Sequence, residues 1–292
     1  KLKNTILLIG FIAILQQNVF SQIVYINNAG IELQYDSALF KPSNKPQIKL
    51  KAVPVENVKL LPSLFQQRFE LNKKYLMSLE NDKLLQNFYY EAGISKTGNI
   101  MINREGNFDD FYWGWESPSN QLRGHFLGHW LSAAAYIYAE TKDMEVKAKA
   151  DKIVAELALC QQANGGEWAG SIPEKYMTFI ANGRSIWSPQ YTLHKTLMGL
   201  YDMYVMTGSK QALDVIDHFA DWFHRWTDNL IANNNAMAVY RGESGGMLEI
   251  WANMYALTKD KKYLDLMERY GNPDLFQILQ KGEDALSNEH AN

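Results

Sequence analysis

The chain has 292 residues, 47% of them hydrophobic and 21% charged. That composition excludes disordered, collagen-like and coiled-coil chains and suits one large domain or two ordinary ones. Lys and Arg number 29 against 32 Asp and Glu, and a net charge of −3 leaves no broad basic field to hold nucleic acid.

Lys1 and Lys3 precede the apolar run Thr5–Leu15, which is shorter than the ~20 residues a membrane-spanning helix needs. Val19-Phe20-Ser21 then ends on a small residue. This pattern predicts a secretory signal peptide over residues 1–22, cut near Gln22. The mature protein is then exported, periplasmic or extracellular, with no membrane attachment after cleavage. Residues 23–56 alternate loosely and carry three of the eight prolines, predicting an extended leader poor in strands. From Val58 the apolar spacing turns helical, with helices expected over 57–78 and 83–92. Residues 94–120 break that pattern at Gly98, Gly106 and Gly114. The aromatic density of Phe111–Pro118 argues for an ordered loop rather than a disordered one.

A repeat follows. Tyr138-Ala-Glu-Thr141-Lys-Asp143 returns as Tyr204-Val-Met-Thr207-Gly-Ser209 and as Tyr255-Ala-Leu-Thr258-Lys-Asp260. Each copy follows an apolar stretch (122–140, 190–206, 246–257) and precedes an amphipathic one (144–162, 210–227, 261–270). Asp143, Ser209 and Asp260 stand where a helix N-cap belongs. The unit is an apolar inner helix, a tight turn and a half-exposed outer helix, which predicts an all-α fold, part of an (α/α)6 barrel or helical toroid, over 57–292. The short extended leader precedes it. A closed barrel of six pairs needs about twelve helices, and the pattern supplies about four pairs, so an incomplete barrel is expected.

Candidate chemistry gathers where the inner helices begin. Arg123-Gly-His125-Phe-Leu-Gly-His129 places two histidines four apart on one helix face. The spacing matches zinc-protease helices, but Phe126 replaces the glutamate such a site needs, and no third ligand is evident. A metal site, buried structural histidines and donors for sugar hydroxyls are the readings left open. Trp187-Ser-Pro-Gln-Tyr-Thr-Leu-His194-Lys195 opens the second inner helix, with Ser188 able to cap and Pro189 suited to the first turn. Arg241-Gly-Glu243-Ser-Gly-Gly-Met-Leu-Glu249 opens the third, where Glu243 and Glu249 are either a carboxylate pair for glycoside chemistry or acids favoured by a helix N-terminus. The single cysteine, Cys160, has no basic neighbour in sequence and reads as core; it excludes a multi-cysteine metal site built from this chain alone. The 8 Trp and 16 Tyr suit an aromatic-lined sugar pocket or an ordinary helical core.

Taken together, Val58–Ala92, Gly114-Trp-Glu116, Leu122–Ser132, Ala155–Asn164, Tyr191–Lys195, Glu243–Glu249 and His290-Ala-Asn292 resemble the catalytic domain of glycoside hydrolase families 127 and 146, the β-L-arabinofuranosidase group. The resemblance implies an (α/α)6 barrel that cleaves β-linked L-arabinofuranosides with retention, through a cysteine nucleophile held on zinc. The family's Glu-x-Cys motif, Cys-Cys pair and acid/base glutamate follow the His-Ala-Asn block, where this sequence stops. Carried over by the resemblance are His194 and His290, then His125, His129, Glu116 and Glu249, as substrate-binding residues. None is assigned as nucleophile, acid/base or metal ligand, so no cofactor is expected in this chain, while zinc is implied for a full-length relative. The expected partner is an L-arabinofuranoside-containing glycan, and the 292-residue chain is expected to be inactive alone. A non-catalytic carbohydrate- or protein-binding helical module, and a lyase or epimerase using His and Tyr as acid and base, are the rival readings.

Overall fold

The computed structural model describes residues 22–26, 32–36, 53–94 and 111–283. The segments outside these ranges hold the predicted signal run before Gln22 and His290.

The leader departs from the strand-poor expectation. Gln22–Ile26 (β1) and Glu32–Asp36 (β2) pair antiparallel, with Gln22 opposite Asp36 and Ile26 opposite Glu32. Alternating apolar residues on both sides of Asn27-Asn28-Ala29-Gly30 are the sequence signal for such a hairpin.

Eleven α-helices follow among the described residues: α1 Leu64–Ser78, α2 Asn81–Leu84, α3 Gln86–Glu91, α4 His125–Thr141, α5 Met144–Ala163, α6 Lys175–Ala181, α7 Pro189–Thr207, α8 Lys210–Ala232, α9 Gly245–Thr258, α10 Lys261–Tyr270 and α11 Pro273–Gln280. The expected helix over 83–92 is broken at Leu85 into α2 and α3. The three repeat units are α4–α5, α7–α8 and α9–α10, with boundaries close to those read from the sequence.

The repeated turn has one chemistry. Thr141, Thr207 and Thr258 each donate the hydroxyl to the carbonyl four residues back. The next residue, Lys142, Gly208 or Lys259, takes a left-handed conformation that ends the helix. Asp143 then accepts from the Glu145 and Val146 amides, and Asp260 from the Lys262 amide. Ser209, expected to cap in the same way, makes no side-chain cap bond.

The units stack in two layers. In the inner layer α4 lies against α7 and α7 against α9. The contact is backbone on backbone: a Cβ on Gly128 would lie 1.9 Å from the Lys195 carbonyl oxygen, and one on Gly199 would lie 2.5 Å from the Gly128 carbonyl oxygen. In the outer layer Gln161 of α5 donates to the Val215 carbonyl of α8 at 2.9 Å. Asp217 of α8 in turn accepts from Lys262 and Tyr263 of α10, both at 2.8 Å. Between the layers lies the core, with Trp130, Leu157, Phe219, Phe223, Trp251 and Tyr263 fully buried. Cys160 is part of that core. This is the alternating inner and outer helix order of a helical toroid. No helix among the described residues is long and apolar enough to cross a membrane.

Candidate functional site

The three inner helices are parallel, so their N-termini meet at one end. Gln190, one residue into α7, fixes the meeting point. Its backbone N–H donates to the Gly242 carbonyl and its side-chain amide to the carbonyls of Val239 and Arg241, while its Oε1 accepts from the Tyr270 hydroxyl at 2.7 Å. The segment leading into α9 is thereby tied to the start of α7. Gln121 performs the matching task toward α4, its Oε1 accepting the Trp187 N–H at 2.6 Å.

At the start of α4 the helix lacks a capping side chain, because the N-cap residue is Gly124. Glu116 supplies the missing acceptor. Its Oε2 accepts the Gly124 N–H at 2.6 Å and its Oε1 accepts the Phe126 N–H at 3.1 Å. An anion there is favoured both by the unpaired amides and by the helix dipole. The same Oε1 lies 2.9 Å from His125 Nδ1, and so does the Leu122 carbonyl oxygen. Both partners can only accept, so the proton of this ring sits on Nδ1. Burial disfavours the charged ring, but the hydrogen bond and charge of Glu116 outweigh it, and the His125 pKa is raised.

His129, one turn further, meets His125 edge-on with ring centroids 5.9 Å apart. It opens to solvent on the inner face. Desolvation and the charges of Lys195 and His125 lower its pKa. His194 is buried on α7, packed so closely against α9 that a Cβ on Gly246 would lie 2.7 Å from its ring. Its Nε2 is sealed from solvent without a hydrogen-bond partner. Burial first, then the charges of Lys195 and His129, press its pKa down to about 3, so the ring is neutral at physiological pH. Lys195 lies over the Tyr191 ring at 4.6 Å, and Tyr191 faces His125 at 6.2 Å.

Glu116, His125, His129 and His194 thus gather at one rim. Glu249 is exposed on α9, and its charge acts on Lys195 and on Asp202. Glu243 and Glu249 serve different neighbours: Glu243 acts on Tyr191. His290 lies outside the described residues. Ser188 does not cap α7; its hydroxyl is buried without a partner, and its backbone is left-handed at φ 49°. Pro189 does occupy the first turn.

Asp202 escaped the sequence reading. It is buried on α7, takes a hydrogen bond from Ser132 of α4, and burial raises its pKa to about 6. The signal was its place eleven residues after Tyr191 on the same helix face, the stripe Tyr191–Lys195–Met198–Asp202.

The metal that the resemblance implies for a full-length relative does not fit the described residues. No three His, Cys, Asp or Glu side chains among the described residues stand close enough to share an ion, and the Cys160 thiol is in the core.

A family model described as the β-L-arabinofuranosidase, GH127 catalytic domain matches residues 57–292, more than half of the chain. No curated protein matches the sequence.

Proposed function

The chain belongs to the GH127 β-L-arabinofuranosidase catalytic-domain family, and from that premise we propose that its rim holds the L-arabinofuranosyl unit of a plant-type glycan in an exported glycoside hydrolase. The family is one of glycoside hydrolases, so the substrate is a carbohydrate. The observation that carries the finer reading is the convergence of His125, His129 and His194 at one rim in different protonation environments. A furanoside offers hydroxyls that both donate and accept. His129 is exposed and offers its ring to such hydroxyls, while His125 keeps Nδ1–H for Glu116 and His194, neutral and buried, backs the rim from α7. Tyr191 and Lys195 add a hydroxyl and an ammonium on the adjacent face. Export is supported by the charged, apolar and small-residue order of residues 1–22.

Retaining hydrolysis needs a nucleophile and an acid/base pair on either side of the anomeric carbon. Cys160, in the core, cannot reach a sugar. On this reading the 292-residue chain binds the sugar without turning it over, and the burial of Cys160 supports it. Isothermal titration with methyl β-L-arabinofuranoside tests binding: wild type gives a saturable isotherm and His129→Ala, at the exposed position of the rim, abolishes it. Turnover of an aryl β-L-arabinofuranoside by the purified chain supplied with zinc would overturn the inactivity.

A further inference from the structure

The eight tryptophans divide sharply. Trp130, Trp168, Trp222, Trp226 and Trp251 are at most 9% exposed, whereas Trp113, Trp115 and Trp187 are 42%, 62% and 48% exposed. All three exposed indoles lie at the end where the inner helices begin. Single exposed apolar side chains are ordinary, but three open indoles at the end that holds the histidine rim are placed to meet what the rim binds.

Trp115 and Trp187 are held in equivalent places. Trp115 directly precedes Glu116, which closes α4, and its ring lies 6.0 Å from the His125 ring at 55°. Trp187 directly precedes Ser188, the N-cap residue of α7, and its N–H is fixed to Gln121, five residues after Glu116. Each indole is thus carried on backbone anchored by hydrogen bonds, while its face stays open. Indole faces are apolar plates of the size of a sugar ring, and stacking of a C–H face on them gives affinity without demanding a particular hydroxyl pattern.

We propose that Trp115 and Trp187 form a stacking platform for the second sugar ring of an oligosaccharide, the unit next to the arabinofuranosyl residue held at the histidine rim. The inference rests on the functional reading above and adds where the remainder of the glycan lies. It assigns length preference to two residues that make no bond to the first sugar.

The test compares methyl β-L-arabinofuranoside with a β-linked L-arabinofuranosyl disaccharide on the 292-residue chain, by titration calorimetry. Wild type should bind the disaccharide more tightly. Trp115→Ala and Trp187→Ala should each weaken the disaccharide about 5- to 10-fold and leave the monosaccharide glycoside within twofold, with Phe at either position recovering part of the loss. Acrylamide quenching of wild-type fluorescence gives a second readout that needs no variant: the disaccharide should shield the exposed indoles and the monosaccharide glycoside should not. Unchanged disaccharide affinity in both alanine variants, or equal quenching with both sugars, would overturn the platform while leaving the rim reading intact. Failure of wild type to bind either sugar would overturn the rim reading itself, and the platform with it.

Discussion

One carboxylate oxygen, Glu116 Oε1, accepts the Phe126 amide at the start of α4 and stands 2.9 Å from Nδ1 of His125. Capping of the helix and orientation of the histidine are therefore one interaction, and neither can be changed alone. Glu116→Gln keeps the shape but loses the charge. We expect it to lower stability to urea by about 1–2 kcal/mol and to lower the His125 pKa in an NMR titration. In wild type the raised His125 pKa adds stability that is complete below the ordinary histidine value of 6.5 and fades as pH rises through the folded-state value. The variant should lose that slope; an unchanged slope would place the titration elsewhere.

His194 has the opposite linkage. Its folded-state pKa of about 3 lies below the ordinary 6.5, so between these values the unfolded chain binds a proton that the folded chain refuses. Stability from this residue is full above pH 6.5 and is lost as pH falls toward 3, at a slope of about 1.4 kcal/mol per pH unit. His194→Asn removes the titrating ring, and urea melts from pH 4 to 6 should flatten by about one proton. A variant as acid-sensitive as wild type would refute the assignment.

The repeat, its turns and the inner and outer helix order were legible because each rests on local rules: threonine back-bonding, aspartate capping, apolar periodicity. The site was legible only in outline. His125, His129 and His194 announced themselves by position at helix starts. The partnership of Arg123 with Glu91, the bracing of α7 by Gln190 and the burial of Asp202 join residues 32 to 80 positions apart, or on different helices, and no local pattern encodes such pairings. Tryptophan was ambiguous for the same reason. Its sequence neighbours do not say whether an indole is covered, and the structure sends five into the core and three to the rim. Ser188 misled because a serine before proline has the chemistry of a cap, while the left-handed backbone here turns its hydroxyl into the protein.

The approach of α4 to α7 makes Gly128 the least replaceable inner-helix position. A methyl group there meets the Lys195 carbonyl carbon at 2.2 Å and oxygen at 1.9 Å, both backbone atoms that can yield only if the helices part. Gly128→Ala should cost about 3 kcal/mol or more and disturb His129 and Lys195 together. Gly208→Ala is the control. Its left-handed backbone at φ 75° strains any side chain, yet nothing lies within 4 Å, so about 1 kcal/mol is expected. Equal losses in thermal melts would mean that the helices are not in backbone contact.

Asp202 provides a stabilising substitution. Buried beneath the rim, it is held with a pKa near 6 chiefly by burial, with Ser132 opposing and Glu249 adding to the rise. The folded state keeps its proton longer than the unfolded chain, so its contribution is full below the ordinary value of 3.8 and is lost as pH climbs through about 6. Asp202→Asn supplies a neutral side chain that still accepts from Ser132, and it should gain about 1–3 kcal/mol at pH 7.5 while changing little at pH 4. A loss of stability at pH 7.5 would instead give the ionised carboxylate a favourable partner, and would reverse its role.

The middle repeat unit can be improved by the rule its neighbours follow. Asp143 and Asp260 each cap an outer helix at 2.9 Å, but Ser209, at the same place, makes no cap bond to α8. Its backbone already has the extended conformation of its two counterparts, with φ −67° and ψ 97° beside φ −67° and ψ 109° at Asp143. Only the side chain is deficient. Ser209→Asp places a longer, charged acceptor at the positive end of a 23-residue helix, and it should stabilise the chain by about 1 kcal/mol in urea melts. High salt should diminish the charge part of the gain and leave the hydrogen-bond part. The reverse exchange, Asp260→Ser, should lose a comparable amount if the carboxylate makes the difference, and should be neutral if the turn geometry alone sets the start of the helix.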